Sequence, residues 1–234
     1  MANPAGAKPL MVPLRVRAVM IDLDGTLADT IPDLAAATNG MLHELRYPEL
    51  SLETIRTFVG KGIPNLVERA LTASAGAVST ELMAQAMPVY ERCYAEANGR
   101  SSKVYPGVRE GLEALRAMQL PLACVTNKSG RFTAPLLTQL GIADFFEQVV
   151  AGDTLPQKKP DPAQLLHACS RFGVAPREML MIGDSLNDAE AARAAGCPVF
   201  CVPYGYNEGR DVRELDVDAI VPTLFEAARL IQKA

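Results

Sequence analysis

The sequence lacks the two features that most directly indicate a membrane or nucleic-acid partner. No run of residues approaches the roughly 18 uncharged apolar positions that a transmembrane helix requires. The formal net charge is −4, which supplies no positive field to attract DNA, RNA or an anionic membrane surface. We therefore predict that neither nucleic acid nor membrane is a binding partner.

Paired cysteines are also lacking. The five cysteines are odd in number, none belongs to a Cys-x-x-Cys spacing, and most lie among apolar residues. This usage is typical of reduced thiols in a reducing compartment. The N-terminal segment MANPAGAKPLMVPLRVR has no apolar stretch long enough for a secretory signal, because Arg15 and Arg17 interrupt it. We expect a cytoplasmic protein that begins with a short disordered leader.

The chain does contain enough apolar sequence for a large core. Its 234 residues can bury about 70 to 75% of the unfolded surface without metal or disulfide support. From about residue 104 onward, apolar runs such as LACVT at 122–126 and MLMIGD at 179–184 alternate with helical patterns, of which the last is TLFEAARLIQ at 223–232. This alternation predicts an α/β fold with a parallel sheet and helices on both faces. The opening strand, at about 16–22, should join the sheet.

Residues 30–103 interrupt this alternation. Thr30 followed by Asp33 is typical of a capping box, and apolar residues then recur at helical spacing. No convincing strand lies among the helical segments that follow, at about 51–59, 63–73 and 79–97. The sequence therefore predicts a core domain made of residues 1–29 and 104–234, with a helical cap domain, residues 30–103, inserted after the first strand.

Two carboxylates end the first predicted strand. Asp22 and Asp24 in VMIDLDGTLADT are separated by one residue, so an extended chain would place them on the same side, about 6.6 Å apart. At an effective dielectric constant near 20 their repulsion is about 2 to 3 kcal/mol. We therefore expect a positive charge between them.

Other polar residues follow the neighbouring predicted strands. In parallel α/β sheets ligands bind beyond the carboxyl ends of the strands, where Thr126, Asn127 and Asp184 are found, with Asp188 just beyond. Carboxylates with a substrate phosphate commonly hold Mg²⁺. Lys159 in the QKKPDP loop and the Thr126 hydroxyl would stabilise a phosphoryl group. The set predicts phosphoryl transfer through attack by an aspartate.

Four stretches resemble, in order along the chain, the four motifs of the haloacid dehalogenase-like superfamily. They are DLDGTLADT, VTN, KKPDP and GDSLND. The resemblance covers nearly the whole chain after residue 15, and it implies a Rossmann-like core with an α-helical cap. It also implies four catalytic roles. Asp22 would be the nucleophile and Asp24 the general acid and base. Thr126 would bind the phosphate, and Lys159 would steady the phosphoryl intermediate.

The same resemblance implies Mg²⁺ as the cofactor. Asp22, Asp184 and the backbone carbonyl of Asp24 would bind the ion. Asp188 would stand behind these ligands or reach the ion through water. Because Asp24 is an acid, the resemblance favours phosphatase over dehalogenase chemistry, whose ester intermediate needs no protonation of a leaving oxygen.

The helical insertion is similar to that of the phosphoglycolate phosphatase group. So are three shorter stretches: FVGKGIPNLVERAL at 58–71, GIADFFEQVVAGD at 141–153 and YGYNEG at 204–209. This similarity implies hydrolysis of 2-phosphoglycolate to glycolate and phosphate. The substrate-binding residues would be Thr126, Asn127, Lys159 and a cap loop of Gly60, Lys61 and Gly62. Lys61 would bind the substrate carboxylate; alternatively the two glycines only delimit helices and Lys61 is solvated.

Other functions stay open at this level. The same reaction centre would serve a phosphatase of pyrophosphate, nucleotides or sugar phosphates, or a phosphosugar mutase. A signalling receiver module also combines an acidic cluster with Thr and Lys on an α/β sheet, but it is smaller and has no helical insertion. In every enzyme case the partner is a small phosphorylated metabolite, and we expect a monomer or homodimer.

Overall fold

The computed structural model describes residues 13–234. The first twelve residues of the expected leader lie outside this range. The strands in the described range are β1 (Leu14–Val16), β2 (Ala18–Ile21), β3 (Ala28–Asp29), β4 (Lys103–Val104), β5 (Leu122–Val125), β6 (Gln148–Val150), β7 (Met179–Gly183), β8 (Val199–Cys201), β9 (Ala219–Ile220) and β10 (Ile231–Lys233). The helices are α1 (Ile31–Glu44), α2 (Leu52–Arg56), α3 (Ile63–Ala75), α4 (Thr80–Ala97), α5 (Val108–Ala117), α6 (Gly130–Gln139), α7 (Ala163–Phe172), α8 (Leu186–Ala195) and α9 (Leu224–Arg229).

Six strands form one parallel sheet in the order β6-β5-β2-β7-β8-β9. The central strands β2, β5 and β7 are buried along their whole length. Such strands read as continuous apolar runs because helices cover both faces of a parallel sheet. One apolar core includes residues of α5, α6 and α9, and a second, on the other face, includes residues of α7 and α8. The predicted α/β class is confirmed.

The two ends of the described chain depart from the prediction. The strand expected over 16–22 is divided into β1 and β2, with a break at Arg17. The helix expected over 223–232 ends at Arg229, and the next residues form β10. The reason is tertiary, because β1 gives β10 a parallel partner in a separate two-stranded sheet. Residues 14–16 of the expected leader are therefore ordered in a strand.

The helices α1 to α4 pack around a third apolar core, which also includes Phe132 and Tyr206 and whose largest fully buried side chains include Tyr90 and Tyr94. The chain enters this helical segment through β3 and leaves it through β4, and these two short strands pair antiparallel. The two connections to the parallel sheet therefore lie side by side. We propose that this ribbon bounds a cap domain formed by residues 30–103.

Two expectations from the sequence concern the cysteine thiols and the length and apolarity of the helices. All five cysteines lie within the described residues, where their thiols are free and four of them are buried. No helix within residues 13–234 combines the length and apolarity needed to cross a membrane.

The prediction of a capping box at the start of α1 is wrong. The Thr30 hydroxyl makes no cap and instead donates to Asp24 Oδ1 at 2.7 Å. Asp33 is 1% exposed and accepts three backbone N–H bonds of 2.8 to 3.1 Å from residues 99–102. The Asp33 carboxylate binds the turn after α4, because several backbone N–H groups of this turn meet at one buried position. Asp33 thus ties the first helix of the segment to its exit.

We predict that Asp33→Ala lowers the free energy of unfolding by about 3 kcal/mol, because it removes charge-assisted hydrogen bonds and leaves buried N–H groups without acceptors. Urea titration followed by circular dichroism measures the change. Asp144→Ala, at an exposed carboxylate, is the matched control and should shift stability by less than about 0.5 kcal/mol. A loss below about 1 kcal/mol in Asp33→Ala would contradict the assigned role.

Candidate active site

The carboxyl ends of three adjacent strands bring the predicted site residues together. Asp22 follows β2, Thr126 follows β5 and Asp184 follows β7. Because the strands are parallel neighbours, all three side chains reach the same edge of the sheet. Lys159 comes to this edge from the loop between β6 and α7. All four residues are buried, with Asp22 the most exposed at 7%.

Lys159 is held by hydrogen bonds at both its backbone and its ammonium. Its Nζ donates to Asp22 Oδ1 at 2.8 Å, to Asp188 Oδ1 at 2.6 Å and to the Val125 carbonyl at 2.8 Å. These three acceptors match the three N–H groups of an ammonium. Its backbone N–H donates to Gln164 Oε1 at 3.1 Å. Lys159 is therefore a fixed charge beside Asp22.

Asp22, Asp184 and Asp188 form a buried acidic cluster. One oxygen from each lies within 4.8 Å of the others. Asp184 accepts from Thr26 Oγ1 at 2.9 Å and from the Tyr206 backbone N–H at 2.7 Å. The structure thus places Asp188 in the same group of oxygens as the two other carboxylates, whereas we expected it to stand behind them.

Asp188 is nevertheless the most engaged member of the cluster. One of its oxygens bonds Lys159, and the other accepts from Ser185 Oγ at 2.7 Å and from the Ser185 backbone N–H at 3.2 Å. These contacts to Ser185 complete a capping box at the start of α8. By contrast, no hydrogen bond within residues 13–234 reaches Asp22 Oδ2. The free oxygen belongs to the residue predicted to attack.

The cluster has more negative charge than its single ammonium can neutralise. Burial raises the pKa of Asp22 to about 8, against the attraction of Lys159, and the charges of Asp188 and Asp184 add to the increase. Burial and the charge of Asp188 raise the pKa of Asp184 to about 7. Burial disfavours the charged form of Lys159, yet Asp188 and Asp22 outweigh this effect and raise its pKa above the ordinary value. A further positive charge at this cluster would favour the ionised carboxylates.

Asp24 has a positive partner of its own. Its Oδ1 accepts from Lys128 Nζ at 3.0 Å and from Thr30 Oγ1 at 2.7 Å. In this structure a separate lysine contacts each of the two aspartates. The strand β2 ends at Ile21 and the chain turns from Leu23 onward, so Asp22 and Asp24 do not belong to one extended strand. The Asp24 side chain also lies outside the acidic cluster.

Lys128 is the main site residue that the sequence did not reveal. It directly follows the predicted Thr126 and Asn127, its side chain is 2% exposed, and its Nζ also donates to the Tyr94 hydroxyl. Tyr94 belongs to α4, so this contact joins the helical segment to the edge of the sheet. The only sequence clue was a lysine next to a buried strand end. Its role depends on Tyr94, which is 34 residues away in the chain.

The residues of the predicted cap loop differ in position, because two line the cavity and one lies at the surface. Gly60 and Gly62 line the cavity, and the Gly60 carbonyl accepts from Asn127 Nδ2 at 2.9 Å. Lys61 points elsewhere, because its Nζ pairs with Glu208 Oε1 at 2.8 Å and its side chain is 44% exposed. The expected approach of Lys61 to the substrate is therefore not present in this structure, which agrees better with the surface alternative.

A small cavity lies between these groups. Its polar wall contains the carboxylates and lysines described above, and its apolar wall is supplied by the helical segment through Leu34, Val59, Ile63 and Leu66. The volume of the cavity is about 40 Å³. A ligand enclosed here has few atoms, and one side of it is screened from water.

Comparisons with known proteins agree with this geometry. A family model described as haloacid dehalogenase-like hydrolase matches residues 19–202. The chain is 61% identical over 223 residues to a protein named phosphoglycolate phosphatase from Nitrosospira multiformis, covering 95% of this chain and 98% of that protein. It is 57% identical, with the same coverage, to a protein of the same name from Thiobacillus denitrificans.

A solved structure from Haemophilus somnus, described as a predicted phosphoglycolate phosphatase, is similar throughout. It superposes with a TM-score of 0.87 at 34% identity, and the match covers 92% of this chain and 96% of that chain. The similarity extends to the helical segment as well as the sheet, because so little of either chain is left out.

We predict that the protein loses stability in EDTA as the pH rises from about 5 to about 8.5. The raised pKa values of Asp22 and Asp184 mean that the folded state keeps protons that the unfolded chain has released above about pH 4. This contribution is complete below about pH 4 and is lost progressively as the pH rises to about 7 to 8, with a slope on the order of 1 kcal/mol per pH unit for each proton kept.

Thermal and urea unfolding across this pH range measure the effect. Asp22→Asn carries no titrating carboxyl at that position, so its stability should fall less steeply with pH than that of the unsubstituted protein. A slope that is unchanged by this substitution would show that Asp22 is ionised throughout the range.

Proposed function

The chain belongs to the haloacid dehalogenase-like hydrolase family, and we propose that it hydrolyses 2-phosphoglycolate to glycolate and phosphate through an aspartyl-phosphate on Asp22. The observation that carries the proposal is the contrast between two aspartates. Asp22 has one oxygen fixed by Lys159 and one without a hydrogen bond in the described range, whereas Asp24 faces Lys128 and Thr30. Two carboxylates in different surroundings suit two different roles.

Asp22 suits the nucleophile. Lys159 holds its Oδ1, which orients the carboxylate and leaves Oδ2 for attack on phosphorus. As the new oxygen–phosphorus bond forms, the bond from phosphorus to the glycolate oxygen breaks. The negative charge that develops on the phosphoryl oxygens lies near Lys159, a fixed positive charge that needs no reorganisation.

Asp24 suits the acid and base. In its neutral form it gives its proton to the departing glycolate oxygen. The resulting carboxylate then takes a proton from the water that attacks the aspartyl-phosphate, which breaks the bond between phosphorus and Asp22 and restores both residues. Thr30 and Lys128 hold the Asp24 side chain on the side of the cavity away from the acidic cluster.

Thr126 and Asn127 would contribute differently to binding. Thr126 Oγ1 accepts from the Lys128 backbone N–H at 3.2 Å, so its hydroxyl proton is free to bond a phosphoryl oxygen. Asn127 donates to the Gly60 carbonyl at 2.9 Å and to the Lys159 carbonyl at 2.8 Å, which uses both its amide protons. We therefore assign Asn127 the task of holding the cap loop and the Lys159 loop together over the substrate.

The acidic cluster fits Mg²⁺, because its donors are hard carboxylate oxygens that gather within 4.8 Å and carry uncompensated charge. Asp22 and Asp184 would hold the ion with the backbone carbonyl of Asp24. Asp188, whose oxygens already bond Lys159 and Ser185, would position these groups. When bound, Mg²⁺ supplies positive charge to the phosphoryl oxygens.

The substrate assignment is supported by the relatives named above and by the cavity. A space this small, with an apolar wall from the helical segment, suits a compact phosphate ester better than a nucleotide. The apolar wall would exclude water from the phosphoryl group before transfer. The cytoplasmic location and the monomeric or homodimeric state remain predictions from the sequence.

We predict that Asp22→Asn lowers kcat by at least about 10⁴-fold, the scale of loss when a catalytic nucleophile is removed. Steady-state phosphate release measures the change, and circular dichroism checks that the fold is retained. Asp144→Asn, at an exposed carboxylate, serves as the matched control. Activity in Asp22→Asn within about tenfold of the unsubstituted protein would rule out the covalent route.

The substrate is tested by phosphate release in the presence of Mg²⁺. The value of kcat/KM for 2-phosphoglycolate should exceed that for pyrophosphate, sugar phosphates, nucleoside monophosphates and p-nitrophenyl phosphate by about tenfold or more. EDTA should abolish the activity, and added Mg²⁺ should restore it. A stronger preference for another ester would overturn the substrate assignment and leave the role of Asp22 intact.

A further inference from the structure

We propose that Lys128 binds the carboxylate of the substrate and thereby selects phosphate esters of small carboxylic acids. The inference rests on the proposed function. The substrate carries a negative carboxylate besides its phosphate. The end of the cavity that receives this carboxylate needs a cation. A carboxylate transferred into a partly apolar cavity without such a partner would lose its hydration with no compensation.

Only two cationic side chains within residues 13–234 line the cavity, Lys128 and Lys159. Lys159 has three acceptors already, and all lie at the Asp22 end, where the phosphoryl group would be. Lys61, the other candidate, forms its ion pair with Glu208 outside the cavity lining. Lys128 is therefore the available cation for a second anionic group.

The surroundings of Lys128 leave it capacity for a ligand. Its Nζ contacts two groups, the Asp24 carboxylate and the Tyr94 hydroxyl, and it lies 4.8 Å from the centre of the Tyr94 ring. An ammonium has three N–H groups, and the longest contact that Lys128 Nζ makes is the one to Asp24 Oδ2, at 3.4 Å, which a ligand oxygen can replace while the contact to Asp24 Oδ1 is kept. The side chain is 2% exposed, and a charge-assisted hydrogen bond is stronger in such a site than in water.

The position of Lys128 fits the covalent structure of the substrate. In the proposed reaction Asp24 must lie within hydrogen-bond reach of the leaving oxygen. In 2-phosphoglycolate a single methylene carbon separates this oxygen from the carboxylate. A cation 3.0 Å from Asp24 Oδ1 is thus placed where the carboxylate would lie when the leaving oxygen is beside Asp24.

Binding of two non-hydrolysable ligands separates this role from catalysis. One is 3-phosphonopropionate, in which a methylene replaces the bridging oxygen of 2-phosphoglycolate, and the other is propylphosphonate, in which a methyl group replaces the carboxylate. Calorimetry with Mg²⁺ gives the ratio of their dissociation constants. In Lys128→Met this ratio should move toward unity by about 10- to 100-fold, the value of a hydrogen bond to a charged group.

Further variants define the cause. Lys128→Gln keeps a polar side chain without charge and should give a similar loss, so the test does not depend on one variant folding. Lys128→Arg keeps the charge and should retain part of the preference. Lys233→Met removes an exposed lysine far from the cavity and is the matched control. Thermal unfolding confirms that each variant is folded.

The outcomes distinguish this inference from the proposed function. If the unsubstituted protein neither hydrolyses 2-phosphoglycolate nor prefers 3-phosphonopropionate, the proposed function fails. If it does both and Lys128→Met and Lys128→Gln keep the preference, only the role of Lys128 is overturned. Loss of the preference in Lys61→Met, with Lys128→Met unaffected, would assign the carboxylate to the cap loop. A merely structural Lys128 would weaken both ligands equally.

Discussion

The site depends on three buried carboxylates and a partly buried fourth, beside only two ammonium groups. Lys159 pairs with Asp22 and Asp188, and Asp184 lies beside them in the acidic cluster, whereas Asp24 has Lys128. A buried charge that is left unpaired is costly, so the backbone must hold each lysine close to its partners. The parallel sheet meets this requirement, because its adjacent strand ends and the loops that follow them converge at one edge. The excess of negative charge that remains makes the same edge suitable for a cation and for a phosphoryl group carried with it.

Close packing of the backbone against the carboxylates is the next consequence. A Cβ added to Gly25 would lie 2.4 Å from an oxygen of Asp184, and one added to Gly205 would lie 2.2 Å from the same side chain. Loops from two separate strand ends therefore approach one carboxylate from opposite sides, and only glycine leaves room for it. This enclosure explains why burial is the leading cause of the raised pKa of Asp184. It also keeps Asp184 in place for a ligand, since the adjacent Tyr206 N–H and Thr26 hydroxyl both donate to it.

The sequence was sufficient to predict Asp22, Thr126, Asp184 and Lys159 as neighbours, because strand ends can be located from apolar runs and parallel topology brings them together. It was insufficient where a contact joins distant segments. Lys128 is defined by Tyr94 from α4, and β10 exists because β1 lies beside it. The error at Thr30 has the same origin. Asp33 is its plausible partner in the sequence, but the Thr30 hydroxyl bonds Asp24 in three dimensions, and Lys61 likewise pairs with the distant Glu208.

The pairing of each aspartate with a different lysine also explains how residues so close in sequence can differ in chemistry. Lys159 reaches Asp22 from the loop after β6, and Lys128 reaches Asp24 from the end of β5, with Tyr94 of the helical segment on its other side. A change in the position of the helical segment would therefore alter the surroundings of Asp24 through Tyr94 and Lys128. Asp22 and Lys159 would be affected less directly, because the side-chain hydrogen-bond partners of Lys159 lie outside this segment, in the sheet and in α8. In the proposed mechanism the nucleophile is thus positioned by the sheet, and the acid is positioned jointly by the sheet and the helical segment.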